Sequence, residues 1–179
     1  MPALTGVCAV CPGMKPAILS DCKYGYRLAD NVLSVTLINT AGDPDPYPER
    51  GIHAIKLMVA LTEGAHIQMK HLSKVLMSPM IGVPTACHKG SLAPRASLID
   101  FRAGHSVLTG VFAGADGEMV LRMYEAEGRR DPVTVMLPFA PKEATITDLD
   151  GEAIREVDRD GKKISFVAEP YELLQVKCK

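Results

Sequence analysis

The feature that most constrains the fold is a stretch in the middle of the chain that begins at Val107 and reads VLTGVFAGADGEMVLRMYE. Its second half alternates, so that one face of a strand is apolar while the other carries Arg122 beside Tyr124. Between the halves, Gly114-Ala-Asp-Gly117 supplies residues that tolerate the positive φ of a tight reversal. The stretch therefore predicts a β-hairpin. We interpret its arginine and tyrosine as a salt bridge and a packed ring rather than as a platform for sugar.

Other segments have the alternation or the apolar character of strands, and turn signals separate many of them about every 8 to 12 residues. The predicted strands outside the hairpin are Tyr24–Leu28, Leu33–Leu37, Ile52–Leu61, Ser97–Phe101, Val133–Leu137, Ala144–Thr147, Lys163–Val167 and Leu173–Lys177. One helix is predicted over Ala65–Met77, where apolar residues share a stripe. This succession indicates an antiparallel sandwich or barrel rather than a parallel α/β sheet.

The composition excludes several classes of protein. A chain of 179 residues with 47% apolar residues can bury one sizeable core. Its 20 basic and 21 acidic residues nearly cancel, which argues against nucleic acid or an anionic membrane as a partner. We find no stretch of roughly 20 apolar residues and no signal peptide. Five cysteines without a dense framework suit a reducing compartment. We predict a cytoplasmic protein, with residues 1–16 as a tail or linker and 17–179 as one domain.

The best local pair of carboxylates is Asp43 and Asp45. Glycosidases hold two carboxylates on opposite sides of the scissile bond. These two aspartates stand between prolines in a loop, however, where acids are common, and we interpret them as turn residues. The sequence has neither a nucleophile elbow nor a glycine-rich phosphate loop. We therefore assign no catalytic residue.

Cysteine and histidine spacing gives little support for a metal site. Cys8 and Cys11 have the spacing of half a zinc site or a redox pair, but no second pair follows at the usual interval. His66 and His71 are five residues apart on the predicted helix, so they point in different directions. We predict neither a metal ion nor a cofactor in this chain.

Four segments, in this order along the chain, resemble the carboxy-terminal β-domain of the family 38 glycoside hydrolases, the α-mannosidases, in its cytosolic and bacterial branch. They are Ala17–Tyr26 (AILSDCKYGY), the loop with Asp45-Pro46 and then Arg50-Gly51-Ile52-His53, Val120–Glu125 (VLRMYE) with Gly128 behind it, and Glu169–Leu173 (EPYEL). The resemblance covers nearly everything from about Ala17 to the end. It implies an all-β fold, an antiparallel, supersandwich-like β-sandwich with one short α-helix.

The resemblance also implies what this sequence does not contain. In the family, a zinc ion and the catalytic carboxylates, including the aspartate nucleophile of a retaining mechanism, belong to an amino-terminal domain of several hundred residues. We therefore expect this chain to be the non-catalytic carboxy-terminal part of an enzyme that hydrolyses α-mannosides, and to hydrolyse nothing alone. Its expected partners are that catalytic domain and mannosides, and an exposed apolar face would also allow homo-oligomers.

In the family the β-domain can bring a loop to the edge of the sugar site. By analogy, the substrate-facing loop of this chain includes Asp45, with Arg50 as a donor to sugar hydroxyls and His53 as a support for the loop. Many relatives have an acid and an aromatic residue after this histidine, whereas this sequence has Ala54 and Ile55. The scaffold of the loop is therefore expected to persist with altered sugar contacts.

Two other functions stay open. The chain could bind carbohydrate independently as a β-sandwich module, although it has no tryptophan and few aromatic residues with which to stack sugar rings. It could also be a small metal or thiol protein that uses Cys8 and Cys11.

Overall fold

The structure, a computed structural model, describes residues 2–40, 42–43, 46–47, 49–63, 66–91 and 93–179, without the side chains of His66 and Ile67. The chain forms two compact units, Met1–Val83 and Pro84–Lys179. In the part that is described, no helix is long and apolar enough to cross a membrane.

The described chain contains fourteen strands and one helix. In order they are β1 (Gly6–Cys8), β2 (Lys15–Ser20), β3 (Tyr26–Ala29), β4 (Val32–Val35), β5 (Leu57–Thr62), α1 (His66–Met77), β6 (Asp100–Arg102), β7 (Ser106–Ala113), β8 (Met119–Glu125), β9 (Asp131–Met136), β10 (Ala144–Thr147), β11 (Ala153–Glu156), β12 (Asp158–Asp160), β13 (Lys163–Ala168) and β14 (Leu173–Cys178).

The second unit is a β-sandwich of two antiparallel sheets, with strand orders β11-β10-β14-β8-β7 and β12-β13-β9-β6. Leu121 and Met123 of the first sheet and Val135 and Ile164 of the second belong to one apolar cluster, and each is 0% exposed. The chain passes from one sheet to the other at Val157, which is itself buried. Burial of each such side chain contributes about 1.5–3 kcal/mol relative to its exposure. The predicted all-β sandwich with one short helix is therefore confirmed.

The central hairpin is present as strands β7 and β8. At its turn Gly117 has a φ of 80°, and its N–H donates to the carbonyl oxygen of Gly114 at 3.1 Å. On β8, Leu121 and Met123 are buried while Arg122 is exposed, as the alternation predicts. One irregularity, a shift of register between Leu108 and Gly110, could not be read from the sequence.

The first unit contains a three-stranded sheet, β1-β2-β5, and the two-stranded hairpin β3-β4. Asp30 and Asn31 form the predicted turn of that hairpin, with φ values of 52° and 59°. A reversal with two positive φ values matches the twist of the strands it joins. The predicted helix is confirmed as α1, which makes contacts with β1, β2 and β5.

Several boundaries differ from those we predicted. Within 1–16, the predicted tail or linker, the structure has β1 and the beginning of β2. The strand predicted from Ile52 begins only at Leu57. Just before it, the N–H of Lys56 donates to the carboxylate of Asp21 at 3.1 Å. The strand predicted over 97–101 is β6, which begins at Asp100.

Strands β11 and β12 were not predicted. Their sequences, AIRE and DRD, carry charges and lack an apolar alternation. Both strands lie at the edges of their sheets, where side chains stay exposed and no apolar face is required.

Candidate functional site

The predicted substrate-facing loop lies between β4 and β5. Asp45 lies outside the described residues, so the predicted pair with Asp43 cannot be placed. Arg50 is exposed, and its guanidinium carbon lies 4.7 Å from the centroid of the Tyr47 ring. That distance is typical of a cation–π contact, which orients the guanidinium without using its N–H groups. Those donors therefore stay available to an acceptor outside the ring.

His53 contacts the same loop through its backbone. Its Nε2 lies 2.8 Å from the carbonyl oxygen of Glu49, a residue with a φ of 53°. The carboxylate of Glu49 in turn accepts the backbone N–H of Asn39 at 3.0 Å. These bonds join the two ends of the loop. The role of the loop in substrate binding stays a prediction.

The first segment of resemblance forms a compact turn between β2 and β3. The hydroxyl oxygen of Ser20 accepts the N–H of Cys22 at 3.3 Å and that of Lys23 at 3.0 Å, while the hydroxyl of Tyr26 donates to the Lys23 carbonyl at 3.0 Å. The Cys22 thiol and a backbone N–H hold the pKa of Asp21 below its ordinary value. These residues serve the backbone of the turn.

The third and fourth segments of resemblance meet at a buried carboxylate, Glu125, which is 2% exposed. Its two oxygens accept the backbone N–H groups of Glu127 at 2.8 Å, Gly128 at 2.7 Å and Tyr171 at 2.9 Å. Burial opposes ionisation of this carboxyl, but the N–H donors hold its pKa below the ordinary value. A carboxylate bound in this way ties two loops together.

Glu172, a carboxylate of the fourth segment, forms a bidentate ion pair with Arg155. Both of its oxygens lie 2.9 Å from guanidinium nitrogens of Arg155, and one also accepts the N–H of Glu169 at 2.8 Å. Burial raises the pKa of Glu172, but the guanidinium and the N–H lower it further, and the net shift is downward. The bidentate geometry fixes the loop before β14 to β11.

Asp131 is another buried acid, 1% exposed, and the sequence analysis missed it. Its carboxylate accepts the N–H of Gly104 at 3.0 Å, the N–H of His105 at 2.8 Å and the hydroxyl of Ser106 at 2.7 Å. Burial opposes ionisation, yet these donors hold the pKa of Asp131 below its ordinary value. The only signal in the sequence is an acid at the beginning of an apolar strand, followed by Pro132.

These acids are unsuited to general acid catalysis. A catalytic acid needs a pKa raised towards the working pH, whereas the pKa values of Glu125, Asp131 and Glu172 are all lowered. Their oxygens are engaged by donors of the protein itself. All three carboxylates accept hydrogen bonds from backbone N–H groups, and this role accounts for Glu125 in the third segment and Glu172 in the fourth.

The other residues considered as sites, Arg122 and the cysteines, show no arrangement suited to chemistry among the residues that the structure describes. Arg122 donates to the side-chain oxygen of Gln175 at 3.2 Å and lies 5.1 Å from the ring centroid of Phe112, so its partners are a neutral amide and a ring rather than the predicted acid. All five cysteines are free thiols, and burial raises the pKa of Cys178 to about 11. Among the described residues, no group of three or more His, Cys, Asp or Glu side chains could hold a metal ion.

A groove of about 370 Å³ opens at the end of the central hairpin. Its lining is mainly apolar and includes Leu98, Val111, Phe112 and Phe139, with Glu118 as an acid. The carboxylate of Glu118 accepts the backbone N–H of Asp116 at 2.9 Å and so belongs to the turn.

Comparison with known proteins supports the predicted resemblance. Residues 108–174 match the family described as "Glycosyl hydrolases family 38 C-terminal beta sandwich domain". The chain is 26% identical over 145 residues to "Alpha-mannosidase 2C1" of Homo sapiens, a match that covers 76% of this chain and 14% of that protein. The Mus musculus protein of the same name is 26% identical over 141 residues, with 74% and 13% covered. The match thus spans about one seventh of each relative.

Proposed function

We propose that this chain is the non-catalytic carboxy-terminal domain of an α-mannosidase, because residues 108–174 match the family described as "Glycosyl hydrolases family 38 C-terminal beta sandwich domain". It completes the fold of the enzyme and presents one loop to the substrate. The observation that carries the proposal is the buried carboxylate of Glu125, which joins two segments of resemblance and is held in a state unsuited to acid catalysis. The zinc ion and the catalytic acids belong, in this proposal, to the catalytic domain.

The substrate loop of the proposal includes Asp45, Arg50 and His53. In support, the Arg50 guanidinium is exposed and oriented by Tyr47, and the His53 ring contacts the loop backbone. The guanidinium would donate to sugar hydroxyls, while the histidine would keep the loop in place.

The partner surface of the proposal lies on β5. Leu57, Val59 and Leu61 alternate along the strand and are 43%, 76% and 67% exposed. Exposed apolar rows of this kind are typical of interaction surfaces. We assign this row to the catalytic domain, with self-association of the chain when that domain is absent. Five cysteines without the dense spacing of a disulfide framework support a reducing, cytoplasmic location.

The test is hydrolysis of a chromogenic α-mannoside by this chain alone and after it is mixed with a separately expressed catalytic domain of the same family. We expect no hydrolysis by the chain alone and activity on mixing. Arg50→Ala should lower kcat/KM of the mixture about tenfold, a loss of about 1.4 kcal/mol in transition-state binding. Arg102→Ala, which removes an exposed arginine paired with Asp100, is the matched control and should leave kcat/KM unchanged. Hydrolysis by the chain alone would overturn the proposal.

The alternative function, an independent carbohydrate-binding module, predicts tight binding of mannose oligosaccharides by the chain alone. Calorimetric titration measures this binding, and tight binding without any activity on mixing with the catalytic domain would favour the module over the completing domain.

A further inference from the structure

Tyr171 has a backbone conformation that residues with side chains rarely adopt. Its φ is 58°, in the left-handed region, where a bulky residue is strained and where glycine or asparagine is preferred. The residue is nevertheless 74% exposed. Packing in a core therefore gives no reason for a tyrosine at this position, and strain of this kind is concentrated at functional sites.

The carboxylate of Glu125 holds the strained backbone of Tyr171 through a hydrogen bond. One oxygen of this buried carboxylate accepts the N–H of Tyr171 at 2.9 Å and also the N–H of Gly128 at 2.7 Å. Bonds to an ionised carboxylate are stronger than those between neutral groups. The backbone from which the ring projects is therefore held in place before any ligand arrives.

Gly128 supports the ring itself. It has a φ of 71°, and a Cβ at this position would lie 2.6 Å from Cζ and 2.7 Å from Cε2 of Tyr171. Only a residue without a side chain allows the ring to lie this close to the backbone. One side of the ring is supported in this way, and most of the residue stays exposed to solvent.

Charged residues lie close in sequence to both Gly128 and Tyr171. Arg130 follows Gly128 by two positions and Glu169 precedes Tyr171 by two, and the two side chains form an exposed ion pair at 3.1 Å. A guanidinium offers several N–H donors and a carboxylate offers acceptors. Donors and acceptors for sugar hydroxyls thus lie two positions along the chain from Gly128 and from Tyr171.

We propose that Tyr171 is the platform of a carbohydrate-binding site, with Arg130 and Glu169 as its hydrogen-bonding groups. A rigid, exposed aromatic ring offers an apolar face to the C–H face of a pyranose, and the phenol hydroxyl adds a polar edge. The choice of α-mannosides as the first ligands rests on the proposed function, whereas the site itself does not. It uses no residue of the loop that contains Arg50.

The test uses the full chain with its five tyrosines labelled with ¹³C on the ring, followed by NMR during titration with methyl α-mannopyranoside, α-linked mannobiose and cellobiose. We expect a saturable shift of the Tyr171 signal. Tyr171→Asn should weaken binding at least about tenfold while the Tm changes by less than about 2 °C, because asparagine tolerates the positive φ. Tyr171→Phe should retain binding, since the ring is kept. Tyr24→Asn removes another exposed tyrosine and should bind like the unaltered chain.

The outcomes separate the site from the proposed function. Absence of a saturable shift with all three sugars, or binding that survives Tyr171→Asn, would overturn the site. A fall in Tm above about 5 °C in Tyr171→Asn, with binding kept in the folded protein, would also overturn it, because the ring would then serve stability. Binding of cellobiose alone through Tyr171 would support the site and count against the proposed mannoside function.

Discussion

The unit Pro84–Lys179 closes its core between two sheets, whereas the sheet of the unit Met1–Val83 leaves an apolar row open. In the second unit, Leu121 and Ile164 belong to opposite sheets and to one apolar cluster, and both are 0% exposed. Among the residues of the first unit that the structure describes, the buried apolar ones are Ala9, Ala17, Leu19 and Tyr26, and Val59 on β5 is 76% exposed. The second unit therefore contains what it needs for its own stability, and we expect the first to depend more on a partner.

The carboxylates that bind backbone N–H groups also differ between the two units. The carboxylates that organise the second unit, Glu125 and Asp131, are buried and accept three hydrogen bonds each. The carboxylates that organise the first unit, Asp21 and Glu49, are on the surface. Buried charge-assisted bonds are stronger and cost more to break than exposed ones.

The largest expected effect is that of Leu121→Ala, which removes a fully buried side chain from the sandwich core. We expect the free energy of unfolding to fall by about 3–5 kcal/mol, from lost burial and from the cavity left behind. Val59→Ala, at an exposed position, should change it by less than about 0.5 kcal/mol. Urea denaturation followed by circular dichroism measures both. Equal losses in the two variants would break the contrast between the units.

Glu125→Ala should have the next largest effect. It leaves three backbone N–H groups without their acceptor, and we expect a loss of about 2–3 kcal/mol. Glu143→Ala, at an exposed glutamate of the same unit, is the control and should lie within about 0.5 kcal/mol of the unaltered chain. A loss as small as that of the control would mean that the carboxylate does not hold the two loops.

Acid should destabilise the second unit by a smaller amount at mildly acidic pH. Glu125, Asp131 and Glu172 all have lowered pKa values in the folded state, so their contribution is fully present above the ordinary values of 4.5, 3.8 and 4.5. It is lost as the pH falls through the lowered values. Urea midpoints measured from pH 6 downwards should decline below about pH 4.5, and less steeply in Glu125→Gln. An unchanged slope in that variant would contradict the assigned role.

The smallest effect on stability is expected from the double variant Val59→Thr and Leu61→Thr. Both positions are exposed, so the free energy of unfolding should change by less than about 0.5 kcal/mol. If this row is a partner surface, the same variant should lose much of its activity on mixing with the catalytic domain. Full activity of the mixture would remove β5 from the proposed interface.

How far the sequence leads depends on the local pattern. The central hairpin and α1 have strong periodicity and were predicted, because burial of one face imposes that periodicity on the sequence. The strand predicted from Ile52 begins five residues later, at Leu57, because apolar residues alone do not show where a strand finds its ladder partners. The resemblance was expected from about Ala17 to the end, through short segments in a fixed order, and the family match supports it over 108–174.

By itself, the sequence determined the all-β class, the hairpin and the helix, because these follow from the spacing of neighbouring residues. Only the tertiary structure decided what the acids do. Asp131 and Ser106 are far apart in the chain, as are Glu125 and Tyr171, and each pair is joined by a hydrogen bond. No local pattern records such a pairing, since it depends on how separate loops meet at the ends of the strands. The same meeting of loops places an exposed, strained tyrosine on a glycine, which neither segment reveals alone.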